Sequence, residues 1–154
     1  MKTLKKNKLL IVAMLLSMFY TCNLLAQDAK SIIFDDATKA YDLAIEKRAE
    51  ILSPSNFDDG LKYFEKANSA YENDDNLADI KEYLKQAVNY FRKSTAEIDV
   101  MEVLFAETLN SRDDALDAGA DIYEKELWGD AQDQFRDATN QYEKGNSDKA
   151  KEKG

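Results

Sequence analysis

The sequence predicts an all-α fold: an array of antiparallel helical hairpins, five or six helices in all, one of them long. Three observations carry this. Glycine occurs five times and proline once in 154 residues, so the residues that interrupt helices are scarce. Apolar residues recur at helical spacing along nearly the whole chain, and the alternation expected of a half-buried strand is absent. Two stretches also match at an offset of 71 residues: Ala49 with Ala120, Phe57 with Trp128, Asp59 with Asp130, Phe64 with Phe135, Ala67 with Ala138, and Tyr71-Glu72 with Tyr142-Glu143. Repetition at positions that face a neighbouring helix is the mark of a stacked array.

The chain opens with an export signal. Lys2, Lys5, Lys6 and Lys8 form a basic start with no acid, and the run Leu9 to Tyr20 contains only Ser17 as a polar residue. That run is too short to span a bilayer, which takes about 20 apolar residues, and suits the core of a secretory signal. Residues 1–26 are read as a signal peptide cleaved between Ala26 and Gln27. Cys22 is not read as a lipid anchor, because Phe19, Tyr20 and Thr21 before it are bulkier than lipidation tolerates. Removing the four leader lysines leaves 17 basic residues against 30 acidic, a balance of −13. Nucleic acid is thereby excluded as a partner, and contact with a membrane is expected only through the export signal. The mature chain has no cysteine and so no disulfide framework.

Residues 27–154 form the helical repeat domain, with two related units at about 44–91 and 115–154, the second shorter. The first helix is predicted over Ser31 to Leu52, its stripe Ile33, Ala37, Ala40, Tyr41, Ala44, Ile45, Ala49 and Leu52. Ser53 to Asn56 closes it. A second helix over Phe57 to Glu72 carries Phe57, Gly60, Leu61, Phe64, Ala67 and Tyr71, with Asp58 and Asp59 in its opening turn. Asn73 to Asn76 is a polar turn in which Asn76 is positioned to cap the next helix. The third helix starts at Leu77 and can exceed 30 residues, since neither glycine nor proline interrupts it before Leu109. Ser111 with Asp114, and Ser94 with Glu97, have capping-box spacing; the break is placed at Ser111, with Ser94 as the other place for one. Arg112 to Glu126 and Trp128 to Lys144 follow as helices. Gly145-Asn146 closes the last as a C-cap, and Ser147 to Gly154 starts a sixth.

The repeat has a recognisable style. Phe64-x2-Ala67-Asn68-x2-Tyr71 keeps the spacing of a first tetratricopeptide helix, W-x2-L-G-x2-Y, with Ile80-x3-Leu84-x2-Ala87 as its second helix. Ala118-Gly119-x2-Ile122, then Ala131-x3-Phe135-x2-Ala138, repeats it. The period departs from 34 residues and the closing proline is missing. Ala115 to Tyr123, then Leu127-Trp128 with Ala131, Phe135, Ala138, Tyr142 and Gly145-Asn146, resembles a family of tetratricopeptide-like domains of unknown function in bacterial envelope proteins. Such domains often precede a domain similar to that of outer membrane protein A, which this sequence lacks. The resemblance implies a tetratricopeptide-like fold and brings no catalytic residues.

Little in the chain suits catalysis. Histidine is absent, and without cysteine too the usual ligands of zinc, copper and haem are missing. No cofactor or metal is expected, and the chain is not read as an enzyme. Asp113, Asp117 and Asp121 share a helical face but lack the glycine turn of a calcium loop; they are read as a solvated face, and Asp74-Asp75-Asn76 as a turn. The suggestive feature is aromatic. Tyr63-Phe64, Tyr83-Leu84 and Tyr90-Phe91 each set a tyrosine one step round from a core position, widening the apolar arc. Packing against a second helix explains this; a tyrosine-lined groove for a peptide or glycan is the functional alternative. Phe135, Ala138 and Tyr142 form a second candidate face, because the helix from Ser147 offers only Ala150 to cover it. Tyr63, Tyr83, Tyr90, Phe135 and Tyr142 are therefore the candidate partner-binding residues. Phe57 and Trp128 are expected to anchor equivalent helix starts. The expected role is that of an adaptor for a protein or peptide, in the periplasm or associated with the outer membrane. The alternative is a helical spacer that associates with a second copy of itself.

Overall fold

The computed structural model describes residues 29–153; the leader, its cleavage point and Cys22 lie outside the described residues. The chain falls into two units, residues 1–35 and 36–154. In the first, residues 29–35 are helical, with the Lys30 ammonium 5.4 Å from the Phe34 ring centroid.

The second unit is helical throughout, with no strand among the described residues. Its elements are α1 (36–46), α2 (Ala49–Leu52), α3 (Pro54–Glu72), α4 (Leu77–Thr95), α5 (Ile98–Leu104), α6 (Ala106–Asp117), α7 (Ala120–Tyr123), α8 (Lys125–Glu143) and α9 (Ser147–Lys153). The all-α array stands; several boundaries differ from expectation.

The long helix is broken twice. Near the end of α4, Ser94 Oγ donates to the Phe91 carbonyl (2.8 Å) and Thr95 Oγ1 to the Arg92 carbonyl (3.0 Å). Hydroxyls bonded back in this way satisfy the last carbonyls and let the helix end. The second break is at Phe105 (φ −108°, ψ 20°), whose ring is buried edge-on against Phe135 with centroids 5.3 Å apart. Ser111 breaks nothing: it lies inside α6, which runs on to Asp117. The break expected there falls at Gly119, whose φ of 77° lies in the left-handed region that glycine enters without cost. The first helix likewise ends early, at the left-handed Arg48 (φ 57°). Asn76 does cap α4, its side chain accepting from the Ala78 N–H at 2.9 Å.

The match at an offset of 71 recurs in the backbone. Helices α2 and α7, and α3 and α8, start and stop at equivalent residues. Each pair is entered through a left-handed residue, Arg48 or Gly119, and joined through Ser53 (φ −138°, ψ 59°) or Glu124 (φ −128°, ψ 48°). Each long helix ends before another left-handed residue, Asp74 or Gly145. Thus α1 to α4 form one repeat, α6 to α9 a second, and α5 joins them.

The core gathers Leu52, Phe57 and Phe91 from the first repeat, Ile98, Met101 and Phe105 from the joint, and Phe135 and Ala138 from the second. Polar ties reinforce the join. Arg48 donates through two nitrogens to Asp113 (2.9 and 3.3 Å), and Arg136 pairs with Asp58. Lys47 donates to Asp99 at 2.9 Å, a bond that holds its ammonium above the ordinary lysine pKa.

Candidate functional site

The tyrosines of α3 and α4 come together, but against one another. Tyr63 and Tyr90 stack with centroids 5.6 Å apart and planes 10° from parallel. The Lys66 ammonium lies 5.0 Å from the Tyr63 centroid and 5.9 Å from that of Tyr83. All three rings are half-buried. This is the seam of a helical hairpin: ring faces are spent on each other and on a lysine rather than lining a slot.

The second candidate face is corrected by the structure. Phe135 is 5% exposed, and Ala138 and Ala150 are fully buried. Tyr142 is half-buried against the core. Helix α9 covers this face together with Phe105, so the single alanine does not act alone. Phe105, at the joint of α5 and α6, supplies the cover that α9 alone does not.

An open apolar surface does exist, nearer the start of α8. Helices α6, α7 and α8 enclose a groove of about 340 Å³. It is lined by Ala115, Ala120, Leu127, Trp128, Ala131 and Phe135, of which Leu127 and Ala131 are exposed, Trp128 is half-buried and Phe135 is buried. Arg112 crosses one end: its guanidinium lies 5.5 Å from the Trp128 ring centroid, and Nε donates to Gln132 at 3.0 Å. Leu127 is 69% exposed, and Ile122 and Tyr123 on α7 stand out beside it. Trp128 is half-buried where its equivalent Phe57 is buried, so the two are not equivalent anchors.

The difference between the repeats has a simple origin. Leu52 at the end of α2 is fully buried, because α5 and α8 pack on that helix. Its equivalent Tyr123 is 80% exposed. The groove and α7 are thus the open end of the array. Leu127, Ala131 and Arg112 escaped sequence reasoning, because each sits at a position that the first repeat covers. The usable signal was the repeat itself.

The groove's lining is mainly apolar. Its polar groups are the Arg112 guanidinium, the Glu124 carboxylate, the Gln132 amide, the Trp128 indole N–H and the hydroxyls of Thr108 and Ser111. Among the described residues no three acidic groups converge on a cation site. Asp113 is engaged by Arg48, and Gly119 breaks the helix between Asp117 and Asp121. No protein-family model, curated protein or solved structure matches the chain.

Proposed function

We propose that the mature chain is a non-catalytic, tetratricopeptide-like adaptor of the bacterial cell envelope that binds a protein or peptide through the groove between α6, α7 and α8. One observation carries this reading: an apolar groove lined by Trp128 and the exposed Leu127, with Ile122 and Tyr123 of α7 exposed as well. Contiguous apolar surface rimmed by charge marks interaction sites in proteins that otherwise keep such residues inside. Tryptophan and arginine together are the residue types that most often anchor an interface. The basic, apolar leader supports export, and N-terminal sequencing of the mature protein should begin near Gln27.

The test of the groove is covalent capture. A photoreactive side chain at position 127, in the protein expressed in its own cells, should yield a discrete protein adduct. The same group at exposed Asn89 on α4, outside the groove lining, should not. Equal labelling from both positions would refute the groove as the binding surface.

A further inference from the structure

The carboxylate of Asp113 is shared between the two repeats. From the first repeat, Arg48 at the α1–α2 turn donates to both of its oxygens, at 2.9 and 3.3 Å. From within α6, the neighbouring Arg112 faces one of the same oxygens at 3.4 Å. Arg112 then reaches across to α8, where Nε donates to Gln132 at 3.0 Å and the guanidinium lies 5.5 Å from the Trp128 ring centroid. Trp128 and Gln132 stand one helical turn apart, and both line the groove. Arg112 is thus a strap between two walls of the groove, and the one cation in its lining. A continuous run of contacts leads from Arg48 through Asp113 and Arg112 to Trp128.

Two features distinguish this network from ordinary surface pairing, which contributes little. The first is the backbone of Arg48. Its φ of 57° lies in the left-handed region, which is costly for a residue with a side chain, whereas its equivalent in the second repeat is Gly119. A strained residue persists only where its surroundings fix it, and a two-nitrogen fork on a carboxylate is a fixture of defined geometry. The second is what holds Arg112. At the offset of 71 its equivalent is Tyr41, whose ring packs on Phe57 and Phe91 with centroids 6.0 and 5.5 Å away. A ring packed in the core leaves only if the core opens. A guanidinium held by polar partners is released when those partners are. The side chains of Arg48 and Asp113 are 34% and 50% exposed, so their hold is open to screening by salt. We propose that Arg112 is a releasable strap across one end of the groove, and that Arg48 of the first repeat sets its position through Asp113. This rests on the adaptor reading and adds how its groove is regulated: a shift of the α1–α2 turn against α6 is felt at Trp128. Arg48 and Asp113 are positioning residues, acting through Arg112.

Trp128 is the only tryptophan in the chain, so quenching of its fluorescence by acrylamide, a neutral molecule, reads how far the strap covers it. Arg112→Ala should raise the quenching constant. Arg48→Gly should raise it towards the same value, since glycine keeps the left-handed turn and removes only the guanidinium. Asp113→Ala should do likewise. In the double variant Arg48→Gly/Arg112→Ala the first change should add nothing to the second, because residues that act through one another are not additive. A merely structural role for Arg48 would loosen the fold and add its own increment. Raising the ionic strength should expose Trp128 in the unaltered protein and not in Arg112→Ala, a test that needs no change to the turn. Circular dichroism checks that each variant keeps its helicity. A quenching constant unmoved by Arg112→Ala means that there is no strap. One unmoved by Arg48→Gly and by salt means that Gln132 alone holds Arg112. Either result overturns the inference, as does full additivity in the double variant. Acrylamide needs no partner protein, so a failed capture at position 127 refutes the adaptor reading, and a failed quenching test refutes the strap.

Discussion

The carboxylate of Glu143 shows how one residue joins the two repeats. Helix α3 begins with Pro54, and its N-cap Ser53 makes no capping bond through its side chain to that helix's N–H groups. Glu143 supplies it from the end of α8: its oxygens accept the Ser55 N–H (3.1 Å), the Asn56 N–H (3.0 Å) and the Ser53 hydroxyl (2.6 Å). An anion on the first N–H groups satisfies orphan donors and complements the helix dipole. Glu143→Ala should therefore cost about 1.5–3 kcal/mol, the range for hydrogen bonds to a charged group, whereas Glu143→Gln should retain much of the stability; urea unfolding of both variants is the check. Gly119 gives a second prediction. Alanine there must adopt φ 77°, and an added Cβ would lie 3.0 Å from the Tyr123 ring. Gly119→Ala should destabilise by about 1–2 kcal/mol, and a loss below a few tenths would show the turn to be relaxed. The caps at Asn76 and Gly145 were legible because their partners lie within the same turn. The Glu143 cap was not, since its partners are 87 and 88 residues away.

At the scale of elements, equivalent helices differ by what lies over them. Helices α3 and α8 have the same length and the same entry geometry. Phe57 on α3 is buried among Tyr41 and Phe91, with centroids 6.0 and 5.7 Å away. Trp128 on α8 has Arg112 on it and the groove beside it. Phe57→Ala should thus cost about 3–5 kcal/mol as a core aromatic. Trp128→Ala should cost no more than about 2, from partial burial and one cation–π contact. Thermal unfolding of the two variants separates them, and equal losses would contradict the open groove. Periodicity made the helices and the repeat legible, because helical spacing and the 71-residue match need only the chain itself. The spacing of Ser94 with Glu97 had marked the place of the break at Ala96, but nothing in the periodicity placed the one at Phe105. One depends on hydroxyls bonding backwards, the other on a ring turned towards Phe135. The same limit misplaced the site: Phe135 and Tyr142 lie on the expected face, but their cover comes from a distant joint.

At the scale of the whole molecule, the array is closed at one repeat and open at the other. The pair α2 and α7 makes this measurable, because their backbones are alike. In α2 the N–H groups of Ile51 and Leu52 donate to the Arg48 carbonyl, and in α7 those of Ile122 and Tyr123 donate to the Gly119 carbonyl, all four bonds at 3.0 Å. Local hydrogen bonding therefore cannot distinguish them. What differs is burial: Leu52 sits in the core beneath α5 and α8, and Ile122 and Tyr123 face solvent. Amide exchange reports the free energy of the opening that exposes each N–H, and this rises with the tertiary contacts that must be lost. Exchange at Ile51 and Leu52 should be slow, requiring disruption of the core. Exchange at Ile122 and Tyr123 should be faster by orders of magnitude under the same conditions. Residue-resolved hydrogen exchange by NMR tests this within a single sample, each repeat serving as the other's control. Equal protection would mean that α7 is covered as α2 is, and the open end of the array would have to be abandoned.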